Sequence, residues 1–273
     1  MGQQILLIND LAGYGKVALS AMIPVLTHMG HQLYNLPTAL VSNTLDYGKF
    51  DILETTDYLK HTMKVWEELG FEFDAISTGF IVSEEQARLI AEFCRGRAEK
   101  GTRIFVDPIM GDEGKLYNGV TEETVNHLRH LVAVADVTVP NYTEAVYLAG
   151  LPYEAEGISR EQAEELLLML REMGAKSVIV TSACVDGKDA VIGYDAEAKE
   201  SFLLPFDMIP VRFPGTGDIF SSVLMGRVLS GCPLKESTQA AMHVVRELIW
   251  KNKENADKFK GIPVEAFLEV IDR

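Results

Sequence analysis

The stretch VRFPGTGDIFSSVLMG, residues 211–226, decides how the rest of the chain is read. Two glycines bracket a threonine, an aspartate follows at once, and an apolar run begins behind it. A turn alone needs one glycine. Gly215, Thr216 and Gly217 at a helix start leave several backbone N–H groups aimed at one spot, with the helix dipole behind them. Such a hole suits an anion, above all a transferring phosphoryl group whose oxygens gain charge during transfer. Asp218, just inside the first turn, is placed to accept a proton from an attacking hydroxyl. The plainer reading makes Asp218 a helix N-terminal acid worth about 1 kcal/mol or less. Two flanking glycines exceed what that role needs.

Outward from this stretch, short apolar runs alternate with amphipathic segments. Strands are expected at 4–9, 32–42, 73–79, 102–108, 135–140 and 177–182, with a hairpin pair at 189–195 and 200–206. Helices are expected at about 18–29, 54–69, from Ser83 (with Gln86 completing a capping box), from Thr121, and at about 141–150 and 159–173. A helical stretch over 216–252 breaks at Gly231–Pro233, and a short helix lies near the end. Strands alternating with helices predict an α/β three-layer sandwich, a mostly parallel central sheet with helices on both faces. No repeat, low-complexity run or linker interrupts residues 1–273, so one domain is expected. Ligands of such sheets bind off the carboxyl ends of the strands. Asp10, Ser42, Gly79, Asp107, Asn141, Thr181 and Gly215 all stand there.

Composition narrows the partners. The 273 residues carry 25 Lys and Arg against 40 Asp and Glu, a formal charge of −15, and 47% are hydrophobic. Nothing in the chain forms the basic patch that nucleic acid or an anionic membrane requires. Cys94, Cys184 and Cys232 are odd in number and far apart, which suits reduced thiols in the cytoplasm. The start lacks a signal peptide's basic and apolar regions, and no apolar stretch approaches the roughly 20 residues of a membrane span.

Two further motifs bear on chemistry. In NDLAGYGKVA, residues 9–18, Gly13, Gly15 and Ala18 fit a relaxed dinucleotide fingerprint. That fingerprint needs an acid at the end of the next strand, and residues 32–44 hold none. A P-loop fails too, because Val17 follows Lys16. A glycine turn and a substrate-contacting loop remain. The second motif pairs VDPIMGDEGKLYNG, residues 106–119, with VPNYTEA, residues 139–145. Asp107, Asp112, Asn141 and Glu144 are hard oxygen donors of the kind that suits Mg²⁺ with its waters and substrate phosphates. Asn141 and Glu144 also read as an ordinary N-cap with its N3 acid. The glycine-rich segment 111–119 reads equally as a lid and as a surface loop.

These motifs together resemble a family. FPGTGDIF resembles the anion-hole and base motif of the ribokinase superfamily, and VDPIMGD with PNYTEA its ATP and Mg²⁺ segments. INDLAGYGKVALSA with STGF is similar to the pyridoxal/pyridoxamine kinase branch, which phosphorylates the 5′-hydroxymethyl group of vitamin B6. The resemblance runs from Ile5 to about Arg246. It implies a ribokinase-like fold, with Asp218 as general base and the Gly215, Thr216 and Gly217 amides as anion hole. It further implies that Asp10 contacts the pyridine ring, that Phe80 stacks on it, and that Ser42 and Leu45 line the substrate site. ATP-binding falls to Asp107, Asn141, Glu144, Thr181 and Thr216, and Mg²⁺ to Asp107, Asp112 and Glu144. The resemblance also implies K⁺ near the nucleotide, a homodimer and a cytoplasmic location. Val139 replaces the threonine usual beside that K⁺.

SNTLDYG, residues 42–48, departs from the branch's S-x-H-T-G, placing Leu45 at its threonine and Asp46 at its glycine. The added carboxylate is expected to favour the cationic amine of pyridoxamine over an aldehyde. The expected activity is therefore ATP-dependent phosphorylation of a B6 vitamer. The alternatives are a hydroxymethylpyrimidine kinase of thiamine synthesis and a non-catalytic B6- or nucleotide-binding protein.

Overall fold

The computed structural model describes residues 2–117 and 120–272. Contacts gather the chain into two compact units, residues 1–77 with 209–273, and residues 78–208.

The first unit opens with β1 (Gln4–Ala12), whose Ile5, Leu6, Leu7 and Ile8 are fully buried. Helix α1 (Leu19–His28) returns the chain to β2 (Gln32–Val41), which pairs parallel with β1. Pro37 does not end β2. It faces Asn9, where the register shifts, so Asp10 lies at an irregularity that re-aims the end of β1. The short β3 (Ile52–Glu54) pairs antiparallel with β2, and α2 (Thr56–Glu68) leads to β4 (Ala75–Thr78).

In the second unit α3 (Glu84–Ala98) is capped by Ser83, which accepts from the Gln86 N–H. The return bond of the expected box goes elsewhere: Gln86 Oε1 accepts from the Val82 N–H. Next come β5 (Arg103–Val106), a small hairpin of β6 (Gly111–Asp112) and β7 (Lys115–Leu116), and α4 (Glu122–Val132) with its Thr121 cap. Then follow β8 (Val137–Thr138), α5 (Tyr142–Ala149) and α6 (Arg160–Glu172), the last started by a Ser159–Gln162 capping box. Strands β5, β8 and β9 (Ser177–Val185) pair parallel, and β10 (Lys188–Asp195) and β11 (Glu200–Pro205) add an antiparallel meander.

The chain returns to the first unit with α7 (Thr216–Leu229) and α8 (Leu234–Asn252). Residues Ile219 to Gly226 are buried on every side of α7, which makes its N-terminus a rigid base for chemistry. The expected α/β class is what the chain adopts. Two local expectations change: the segment 111–116 is a hairpin, and the short final helix is two 3₁₀ turns at Val264–Ala266 and Leu268–Val270. Residues 118 and 119 of the expected lid lie outside the described residues.

Candidate active site

In the first unit, α7 starts where Gly215 adopts φ 85°, a left-handed conformation that glycine alone takes without strain. A Cβ there would lie 2.2 Å from the Lys16 carbonyl, so both backbone and space demand glycine. Gly217 is different. Among the described residues beyond its chain neighbours and the nearby backbone of α7, nothing lies within 4 Å of where its Cβ would be, and the first turn of α7 is open to an anion. Thr216 Oγ1 donates to the Phe213 carbonyl at 3.2 Å, which anchors the turn.

Asp218 is held by two donors. The Ala18 N–H reaches Oδ2 at 2.8 Å, and Asn9 Nδ2 lies 3.4 Å from Oδ1. Ala18 sits at φ 47°, ψ −133°, a strained conformation for a residue with a Cβ, and that strain aims its N–H at the carboxylate. Asn9 is buried, and its Oδ1 also accepts the Asp10 N–H at 3.0 Å. Burial raises the Asp218 pKa to about 6, against the two hydrogen bonds that lower it. Asp10 is raised to about 7, first by burial and then by the Asp218 charge. A carboxylate poised near neutrality accepts a proton from an alcohol far better than one at 3.8. The sequence does not single out Asn9, and it marks Ala18 only as the last position of the dinucleotide fingerprint, not as a partner of Asp218. An asparagine ending a strand and an alanine starting a helix carry no signal of their own.

The loops after β1 and β2 lock together: the Gly13 N–H donates to Val41 O at 2.7 Å, Tyr14 N–H to Ser42 O at 3.0 Å, and Thr44 N–H to Tyr14 O at 3.1 Å. Ser42 Oγ accepts the Asp51 N–H and donates to Asn43 Oδ1, and Leu45 is 43% exposed in a 3₁₀ turn. Asp46 forms an ion pair with Arg212 at 2.5 Å. Its charge is already compensated, so the expected preference for an amine loses its basis.

In the second unit, Asn141 caps α5. Its side chain accepts the Glu144 N–H at 2.9 Å, and Glu144 Oε2 accepts the Asn141 N–H at 2.8 Å. The capping reading of these residues is thus realised. Glu144 Oε1 also accepts the Met110 N–H at 3.1 Å, and Asn141 Nδ2 donates to Gly111 O at 2.8 Å. The Gly114 N–H reaches Thr143 Oγ1 at 2.9 Å, so the hairpin 111–116 is pinned to α5. Burial and then the Asp107 charge push Glu144 well above the usual carboxylate range. Asp107 and Glu144 are therefore neighbours, while Asp112 accepts the N–H of Glu113 beside it at 2.9 Å. Among the described residues, the three-residue His/Cys/Asp/Glu group whose ligand atoms lie within 4.8 Å of one another is Glu84, Glu123 and His127, not Asp107, Asp112 and Glu144. Thr181 and Ser182 oppose one residue of β10 in a bulge, with Ser182 at φ 55°, and the Thr181 N–H donates to Pro140 O at 3.0 Å. Phe80 is half-buried just after β4.

An α/β fold with a glycine-flanked helix N-terminus and a positioned carboxylate is that of a ribokinase-like small-molecule kinase. A profile described as phosphomethylpyrimidine kinase matches residues 7–262. A protein from Bacteroides thetaiotaomicron, described as a candidate phosphomethylpyrimidine kinase and crystallised with pyridoxal, superposes with TM-score 0.94 at 34% identity, over 100% of this chain and 96% of that one. Pyridoxal kinase PdxY of Rubrobacter xylanophilus is 28% identical over 90% of this chain and 87% of its own. Pyridoxal kinase of Arabidopsis thaliana is 38% identical over 125 residues, 44% of this chain and 38% of that protein. The chain belongs to the phosphomethylpyrimidine kinase family and is, with it, an ATP-dependent kinase.

Proposed function

We propose that this protein transfers the γ-phosphoryl group of ATP to the 5′-hydroxymethyl group of a vitamin B6 compound: pyridoxal, pyridoxamine or pyridoxine. The observation that carries the reading is Asp218, raised to about 6 and fixed by Ala18 and Asn9 in the first turn of α7. The relatives' pyridoxal kinase names, and the pyridoxal bound to the Bacteroides protein, support the acceptor.

Asp218 takes the proton of the acceptor hydroxyl, whose oxygen attacks the γ-phosphorus in line. The amides of residues 215–217 receive the charge that grows on the phosphoryl oxygens. Asp10, about half protonated near pH 7, offers the acceptor ring a donor or an acceptor as needed. Ser42, Leu45 and Phe80 complete the acceptor set in this proposal, and Asn141, Thr181 and Thr216 the ATP set.

The donor chemistry of the Asp107–Glu144 pair fits Mg²⁺. Both are hard oxygen ligands, and Glu144, already bonded to two backbone amides, suits contact through water rather than directly. Asp107 and Glu144, with Asp112 nearby in sequence, would hold the ion. When bound it neutralises phosphate charge. The hairpin 111–116 with the residues to 119 would act as a lid that excludes water. A K⁺ site, a homodimer, a single kinase domain over 1–273 and a cytoplasmic location complete the proposal. Among the described residues no helix is long and apolar enough to cross a membrane.

The family description favours a second acceptor, hydroxymethylpyrimidine, also a flat heteroaromatic bearing CH₂OH. ADP release with Mg²⁺–ATP against pyridoxal, pyridoxamine, pyridoxine and hydroxymethylpyrimidine decides between them. B6 turnover that falls by at least about 10³-fold in Asp218→Asn supports the reading. Turnover of the pyrimidine alone replaces the acceptor and keeps the mechanism. Binding without turnover identifies a non-catalytic binding protein and overturns the proposal.

A further inference from the structure

The charged segment after α8 has no role in the reaction proposed above, yet it makes a dense set of specific contacts within the first unit. Thr44 Oγ1 donates to the Phe259 carbonyl at 2.6 Å, and Tyr47 Oη donates to Asp257 at 2.5 Å. The Tyr47 ring stands edge-on to Phe259 at 5.6 Å, and Lys260 Nζ lies 5.0 Å from the Tyr14 ring. The Lys16 N–H donates to the Lys260 carbonyl at 2.8 Å, and the Lys16 ammonium pairs with Glu265. A passive tail would not engage six side-chain or backbone groups of residues 14–16 and 44–47.

Lys16 gives these contacts their reach. A Cβ on Gly261 would lie 2.6 Å from the Lys16 carbonyl, and a Cβ on Gly215 would lie 2.2 Å from the same atom. That carbonyl is therefore held between the C-terminal segment and the first residue of the anion hole. Two residues on, Ala18 donates to the proposed base. A short path of hydrogen bonds and close packing thus runs from the segment through Lys16 to Gly215 and, by way of Ala18, to Asp218.

We infer that residues 255–265 form a strap that positions the acceptor loops 13–18 and 43–48, with Tyr47–Asp257 as its side-chain fastening. The inference rests on the reading of those loops as the acceptor side. The strap touches no reacting atom; it acts through the loops it holds. Because it holds the acceptor side, loosening it raises the KM for the acceptor and leaves the KM for ATP alone.

The test uses the full chain with Tyr47→Phe, Asp257→Asn and the double variant. Tyr47→Phe keeps the ring on Phe259 and removes only the hydroxyl. The expected result is a rise of about 5–10-fold in acceptor KM, with the ATP KM within about twofold and the double variant no worse than either single one. Hydrogen exchange over 13–18 and 43–48 is expected to quicken in the same variants while α8 is unchanged. An unchanged acceptor KM, or equal changes for acceptor and ATP with a falling Tm, overturns the strap. If the wild type phosphorylates none of the four acceptors, the proposed function fails and exchange alone decides. Quicker exchange at both loops then keeps the strap, and unaltered exchange removes it.

Discussion

At the residue scale, Asp218 and Asp10 are both ionisable groups that folding makes harder to ionise. Their pKa values rise from 3.8 to about 6 and about 7. Only an ionised Asp218 takes up a proton, so kcat is expected to fall as pH drops through about 7 to 6, with apparent values that belong to the interacting pair. A pH–rate profile with its acid limb near 4 would refute this. Stability runs the other way. A raised carboxyl pKa means the fold favours the protonated form, so the cost of these charges is absent below about pH 4 and grows as pH rises through 6 and 7. Asp218→Asn is expected to remove activity and, at pH 8, to raise the Tm by about 2–4 °C, on the order of 1 kcal/mol. At pH 4 the gain should vanish. The same variant should lower the Asp10 pKa, since the Asp218 charge is one cause of its rise; carboxyl chemical shifts followed by NMR check it.

At the element scale, the first turn of α7 separates two glycines that look alike in sequence. Gly217 is helical and unobstructed. Alanine there should improve the helix by about 0.5–1 kcal/mol while its methyl group intrudes on the anion hole, so Gly217→Ala is expected to be more stable and about tenfold or more slower. Gly215→Ala meets the Lys16 carbonyl at a positive φ and should lose both stability and activity. Thermal melts beside kcat distinguish the two, and a fully active Gly217→Ala would remove the anion hole from the mechanism. The start of α7 was legible because glycine spacing, an acid and an apolar run sit within a few consecutive residues. The parallel strands were legible through their apolar runs, as in Ile5 to Ile8. The strap was not. Residues 253–262 are charged and aperiodic, and their partners lie far away in sequence, as Thr44 and Phe259 do, 215 positions apart. Asp46 shows the same limit. Its carboxylate was visible, but Arg212, the cation that neutralises it, is 166 residues away. The bulge at Thr181–Ser182 was hidden because backbone irregularity depends on the strand opposite, not on the residues that form it.

At the scale of the whole molecule, the charge of −15 opposes self-association, so a homodimer must close over an apolar face rather than an ionic one. The first unit offers such a face. Leu40 and Leu53 oppose one another across β2 and β3 and are 43% and 63% exposed. Phe50 and Tyr58, close by in sequence, are also exposed. Residues of this kind left in water over one strand pair are what a second copy of the chain would cover. Leu53→Glu places a further negative charge at that face without touching the fold's interior. Sedimentation is expected to show a dimer for the wild type and a monomer for this variant, with added salt partly restoring the dimer as the charges are screened. Because β2 leads directly into the acceptor loop 43–48, the monomer is also expected to hold its acceptor more weakly while its KM for ATP stays within about twofold. A dimer that survives Leu53→Glu unchanged would place the interface elsewhere. A wild type that sediments as a monomer would remove the homodimer from the proposal and leave the phosphotransfer reading untouched.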